Sequence, residues 1–263
     1  MTRPSNDRCK LTLAIGVAMF TIAAISTPAV GQEFAAPASW TPPTAAAVRA
    51  KVLDWVEQRG ELDEATRIKV DALWPADGPD MSGVELLDNA AATFAVVDAG
   101  ASEVVQFCRG RRSRFVPPEF SVLADEKTSP LVRDNLRLLV GRWLSQQQLY
   151  DESLAMLADV SAENVVDPAS LFFYRSVAYH RLLDKEHCLP ALAKLLENED
   201  QIPRRYATVA KLMEADLKPL KTDSLDEIAR LMDAVRLELE HARAGARVRE
   251  RQADVIAKLD KLI

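Results

Sequence analysis

Residues Leu131 to Leu196 read as one helical hairpin written twice, the copies thirty-five residues apart. Leu138 falls on Phe173, Leu139 on Tyr174, Gly141 on Ser176, Leu144 on Tyr179, Ser153 on Cys188, Leu154 on Leu189 and Leu157 on Leu192. Apolar lies on apolar and small on small, so the correspondence is one of packing and not of chemistry. Each copy opens with its own start signal, Ser129-Pro130 and Asp167-Pro168. The cap side chain accepts a bond from an orphan helix N–H, and the proline occupies the first helical position, where its missing donor costs nothing. In the first copy Leu136, Leu139, Val140 and Trp143 keep helical spacing, Ser145 to Gln148 interrupts, and Tyr150 to Leu154 restarts it. The second repeats this with Leu171, Tyr174, Ala178 and Leu182, a break near Asp184 and a restart at Glu186.

The small residues Gly141 and Ser176 in the first helices, Ser153 and Cys188 in the second, and the run Tyr150-Asp151-Glu152-Ser153-Leu154 resemble tetratricopeptide hairpins, whose period is about 34 residues. The chain departs from that family at Trp143, which is not at its tryptophan position, in lacking a closing proline, and in serine or cysteine where alanine is usual. The resemblance covers about a quarter of the chain. It implies an all-α fold, a short right-handed solenoid of stacked hairpins, with a protein or peptide held on its concave face. On that geometry Asn135, Arg142 and His180 are the partner-binding residues, on the first-helix surface that faces the ligand.

At the N-terminus Arg3, Arg8 and Lys10 precede an apolar run from Leu11 to Ile25, and Ala29-Val30-Gly31 sets small residues before Gln32. This reads as a cleaved export signal over residues 1–31, hence a periplasmic or other cell-envelope location. The alternative is an inner-membrane anchor through an uncleaved Leu11 to Ile25, a run shorter than the about 20 residues of a spanning helix. Cys9 leaves with the signal, so Cys108 and Cys188 remain as a candidate disulfide pair in a compartment that permits one. Their other reading is two small buried residues, Cys188 occupying a small-residue packing position. A chain of 263 residues, 48% hydrophobic, has the material for a full core. Its net charge of −6 excludes the general nucleic-acid and anionic-membrane binders, which need basic surface to displace counterions.

Residues 32–43 form an Ala/Pro-rich linker in which Trp40 packs back on the first helix. The region 44–128 then contains four expected helices. The first starts at Thr44 and ends at Gly60, the second runs from Asp63 to Trp74, and Pro75 to Pro79 makes a turn. The third carries Leu86, Leu87, Ala90, Phe94 and Val97, and the fourth is capped by Ser102. They form either a separate small bundle or hairpins continuous with the later repeats. Arg109 to Arg114 is a basic loop. The repeats occupy 129–220, closing with a helix from Pro203 on which Val209, Leu212, Met213 and Leu217 face one way. Over 224–263, Ser224 to Glu227 is a capping box. It opens a long amphipathic helix whose Leu225, Ile228, Met232, Val235, Leu239 and Ala242 keep a 3,4 spacing. Ala244-Gly245 interrupts it, and Val248, Val255, Leu259 and Leu262 resume with shifted register. Such a stripe is either a seam for self-association or a face packed on the repeats.

Motifs of chemistry are few. The three histidines, His180, His187 and His241, sit in no metal or acid-base signature, and there is no phosphate loop, nucleophile elbow or Cys-x-x-Cys. Tyr179, His180, His187 and Cys188 read as polar turn residues and not as a zinc site. The reading is therefore a non-enzymatic interaction module without cofactor or metal. Two rivals are an oligomerising protein resting on Leu225 to Ile263, and a glycan hydrolase using two carboxylates among Glu57, Glu85, Glu103, Asp134, Glu152 and Glu197.

Overall fold

Every regular element among the described residues of the computed structural model, 38–75, 80–110 and 118–261, is helical. The expected signal over 1–31, the start of the 32–43 linker, most of the Pro75 to Pro79 turn, the basic stretch from Arg111 to Arg114 and the final two residues lie outside them. The caps follow from side-chain chemistry. Thr44 caps α1 (Ala45–Glu57) and Asp63 caps α2 (Glu64–Leu73), each accepting from the N–H three residues on. Between them Gly60 takes a φ of 103°, a left-handed geometry open to glycine. Ser82 and Glu85 exchange bonds in a complete capping box at the start of α3 (Gly83–Val97).

The next start differs from expectation. Asp98, not Ser102, caps α4 (Ala99–Arg109): its backbone is extended and its Oδ1 accepts from the Ala101 N–H at 2.9 Å. The break therefore falls before Gly100, which lies inside the first turn of α4. After the short α5 (Ser121–Ala124) come α6 (Pro130–Gln146), α7 (Tyr150–Leu157), α8 (Pro168–Arg181) and α9 (Lys185–Leu196), with Ser129, Asp167 and Asp184 as caps of α6, α8 and α9. Then α10 (Arg204–Leu217), α11 (Leu225–Glu240) and α12 (Ala246–Asp260) complete the chain.

The thirty-five-residue repeat reappears bond for bond in the two hairpin turns. Gln148 and Leu183 both adopt left-handed φ, 62° and 59°. The next N–H of each turn reaches back five residues, Leu149 to Leu144 and Asp184 to Tyr179, closing both α6 and α8 in the same way. Inside the hairpins Ser153 Oγ donates to the Gly141 carbonyl at 2.8 Å, and Cys188 Sγ donates to the Ser176 carbonyl at 3.5 Å. Gly141 has no room for more: an added Cβ would stand 2.5 Å from Leu157.

Helix neighbours are arranged as a stack. Alternate helices α1, α3, α6, α8 and α10 each pack on the next of that row, while α2, α4, α7 and α9 lie against the row member that follows them. The first four helices are thus not a separate bundle. They continue the stacked hairpins, and one apolar core runs from Val48 to Leu171 across the expected boundary at residue 128. A second core joins Trp40 to α8, α9 and α10. Within the row α3 also touches α8, so α3, α6 and α8 contact one another.

Three further expectations are corrected. Trp40 is buried not on α1 but against α8 and α9, with its ring 5.1 Å from Phe172 and its Nε1–H on the Lys194 carbonyl at 2.7 Å. On α10 the buried face is Tyr206, Ala207, Ala210, Met213 and Leu217, while Val209 and Leu212 are exposed. The long C-terminal helix is a hairpin: Ala242 takes a left-handed φ of 56°, the Arg243 N–H closes on the Glu238 carbonyl, and α12 folds back on α11. Among the described residues no helix is long and apolar enough to cross a membrane.

Candidate interaction surfaces

The three residues expected to face a ligand are all engaged within the chain. Asn135 is fully buried. Its Nδ2 donates to the carbonyls of Leu131 and Asn164 at 2.7 and 3.0 Å, and its Oδ1 accepts from the Val166 N–H at 2.9 Å. The side chain thus latches α6 to the segment before α8. Position 135 is four residues from Leu131 and three from Leu138, so it shares their core face. Arg142 reaches across the row to Asp88 of α3. His180 Nε2 bonds Asp216 of α10 at 2.9 Å. Asp88 comes from α3, the neighbour of α6 in the row, and Asp216 from α10, the neighbour of α8, so the three residues are spent on contacts between adjacent helices and do not make one open surface.

Both thiols are free. Cys108 lies on α4 beside Arg142 in a cavity of about 280 Å³, and Cys188 is sealed in the α8–α9 contact. The candidate disulfide is therefore not formed: the two belong to different packing regions of the stack. Burial pushes both thiols up to about 12, leaving them protonated at neutral pH.

The polar cluster at the second turn is equally spent. His187 Nδ1 bonds Asp184 at 2.7 Å and its ring stacks on Tyr179 at 5.4 Å, whereas His180 points to α10 and Cys188 inward. Among the described residues no group of three or more His, Cys, Asp or Glu stands where it could hold a metal ion. The candidate carboxylates have structural partners or lie on open faces. Glu85 closes its capping box, Asp134 accepts from Asn164 at 2.8 Å, Glu152 pairs with Arg243 and Glu197 accepts from the Ser39 N–H. Glu57 and Glu103 are exposed on their helices.

A polar cleft of about 540 Å³ opens where the two hairpin turns meet α10 and the C-terminal hairpin. Its charges are largely spent on one another: Arg230 on Asp216 and Asp226, Arg236 on Glu240, and Arg251 on Asp151 and Glu238. The Arg230 hydrogen bonds, and after them His180, hold the Asp216 carboxyl below its ordinary range despite some burial.

The C-terminal hairpin presents different chemistry. Leu225, Met232 and Leu239 recur every seven residues on α11 and are 70%, 53% and 46% exposed, and Ile256 of α12 is 59% exposed. Ile228 and Val235, three residues after the first two, are buried. Met232, Leu239 and Ile256 join Val235 and Val255 along a mainly apolar groove of about 840 Å³. The 3,4 spacing identifies the α11 stripe in the sequence, but Ile256 comes beside it only when α12 folds back on α11. The ion pairs from the C-terminal hairpin to Asp151 and Glu152 likewise have no local signature, since about a hundred residues separate the partners.

Comparison with protein-family models, with curated proteins and with solved structures returns no match.

Proposed function

We propose that this chain is a non-enzymatic protein-interaction module of the bacterial cell envelope, exported by the signal over residues 1–31, in which stacked hairpins hold the C-terminal hairpin out to a protein partner. The observation that carries the reading is the uncovered apolar stripe of Leu225, Met232, Leu239 and Ile256. Side chains of that size on a neighbouring set of positions lose free energy to water, about 1.5–3 kcal/mol for each one that a partner fully buries. The polar residues that the sequence singles out, Asn135, Arg142, His180 and Asp184, are by contrast engaged with groups of the same chain. The partner surface therefore differs from the one that the tetratricopeptide resemblance implies.

Chemical cross-linking of the chain in envelope extract, with sites mapped by mass spectrometry, tests this. Cross-links to protein are expected to concentrate on residues 225–260 and to disappear in a Met232→Glu, Leu239→Glu variant. The same cross-links in the variant, or cross-links confined to α1 through α10, would remove the reading.

A further inference from the structure

Ser39 and Trp40 form a non-helical segment at the end of α9 that is bonded through backbone and side chain alike. The Ser39 N–H donates to Glu197 Oε2 at 2.6 Å, and the Trp40 carbonyl accepts from Asn198 Nδ2 at 2.6 Å. The indole Nε1–H donates to the carbonyl of Lys194, in the last turn of α9, where helix carbonyls run out of intrahelical donors. The ring lies 5.1 Å from Phe172, over which Lys194 Nζ stands at 5.4 Å. Backbone bonds hold a peptide whatever its side chains, and a pocket beside them selects one; peptides are commonly recognised by that division. Phenylalanine would leave the Lys194 carbonyl unpaired, so this pocket reads tryptophan.

The walls of the site are built from contacts that leave the segment out. Phe172 belongs to α8, and α9 is seated on α8 and α10 with Cys188, Leu192 and Leu195 fully buried. Asn198 is buried as well, and its carbonyl accepts from the Gln201 N–H. The segment itself is joined to α1 by Thr41, Pro42 and Pro43 before Thr44 caps that helix. A ligand tethered so closely has an effective concentration on the order of millimolar, so a partner replaces it only by making further contacts. A groove of about 650 Å³ offers them: it shares Phe172 and Lys194 with the tryptophan site and is lined further by Leu154 and Ala155 of α7 and Ala191 of α9.

We propose that Phe172, Lys194, Glu197 and Asn198 form a recognition site for a short peptide segment carrying tryptophan, and that the chain keeps it shut with its own Ser39 and Trp40. The site is separate from the C-terminal stripe, and neither reading depends on the other. Fluorescence anisotropy of a labelled peptide copying Ala38 to Pro43 tests it on the full chain. A Trp40→Ala variant, its pocket vacated, is expected to bind the peptide saturably, and the native chain about tenfold more weakly because its own segment competes. Replacing the peptide's tryptophan by phenylalanine should weaken binding about tenfold. Trp40→Phe, which keeps a ring in the core and removes the indole donor, serves in its place if Trp40→Ala loses its helical circular dichroism spectrum. No binding by a folded variant at millimolar peptide, or equal binding of the tryptophan and phenylalanine peptides, overturns the proposal. So does loss of the fold in both variants, since Trp40 would then be core and not ligand.

Discussion

Single positions decide how closely the helices of the stack approach. At Gly141 two effects oppose each other. Alanine favours helix over glycine by about 1 kcal/mol, whereas forcing a methyl against a buried neighbour costs about 1–3 kcal/mol. The Cβ of an alanine there would lie 2.5 Å from both Cγ and Cδ2 of Leu157, which is fully buried and has nowhere to withdraw. Gly141→Ala should therefore destabilise by roughly 1 kcal/mol or more, read as a lower urea midpoint, with Ser176→Ala at the equivalent position as the milder comparison. Asp167 poses the opposite problem. It caps α8 through Oδ1, but its Oδ2 is buried without a partner, and desolvation raises the carboxyl above its ordinary range. Between the unfolded value of about 3.9 and that raised value the native state holds a proton that the unfolded chain has lost. Stability from this group is thus greatest in acid and declines as pH rises through the window. An asparagine in its place would keep a capping oxygen and carry no charge, so Asp167→Asn should be more stable at neutral pH by on the order of 1 kcal/mol. Urea midpoints across pH should show the gap closing toward acid; a variant weaker than the native chain at neutral pH would mean that the charge is favourable where it stands.

At the scale of elements, most boundaries are legible because caps act locally. Thr44, Asp63, Ser129, Asp167 and Ser224 each bond an N–H within three residues, and such bonds follow from the identity of the side chain. Asp98 and Ser102 are both competent caps, and nothing within four residues ranks them; the structure starts α4 at the earlier one, which puts Ala101 and Val104 into the core. Burial on α10 is illegible for a related reason. Val209 and Met213 share a helical stripe, but neighbouring helices cover only the side that holds Tyr206 and Ala210. Trp40 finds its place through partners more than 150 residues away, beyond the reach of any periodicity. The candidate site follows the same division: the α11 stripe is periodic and visible, while the engagement of Asn135 and His180 depends on which helices become neighbours. The hairpin turns offer a direct test. Gln148 is exposed and sits in left-handed geometry that costs an L-residue about 1 kcal/mol and glycine almost nothing. Gln148→Gly should raise stability by about 0.5–1 kcal/mol, measured by thermal or urea denaturation.

Across the whole molecule two kinds of cohesion divide the chain. From α1 to α10 the stack is held by continuous apolar cores, whereas Ile228, Val235, Val248 and Val255 belong to neither of them. What joins the C-terminal hairpin to the stack is a set of ion pairs: Arg230 with Asp216 at 2.5 Å, Arg243 with Glu152 at 2.6 Å, and Arg251 and Arg247 with Asp151 at 3.2 and 3.4 Å. Partly exposed pairs contribute about 0.2–1 kcal/mol each, so the whole set offers a few kcal/mol. Salt acts unequally on the two kinds of contact. Screening contracts from about 8 Å under physiological conditions to about 3 Å at 1 M, which weakens ion pairs and leaves apolar burial intact. Hydrogen exchange in low salt and in sodium chloride at about 1 M should therefore show α11 and α12 losing protection together while α3, α6 and α8 keep theirs. The measurement belongs on the Met232→Glu, Leu239→Glu variant, so that a protein seated on the stripe does not protect the hairpin. Acid should act on the same joint, but late. Because Asp216 is held below the ordinary aspartate range, its contribution is complete above the unfolded pKa and is lost only as pH falls through the lower folded value. A hairpin whose exchange ignores both salt and acid would be docked by packing, and the ion pairs would then be a consequence of its position and not its cause.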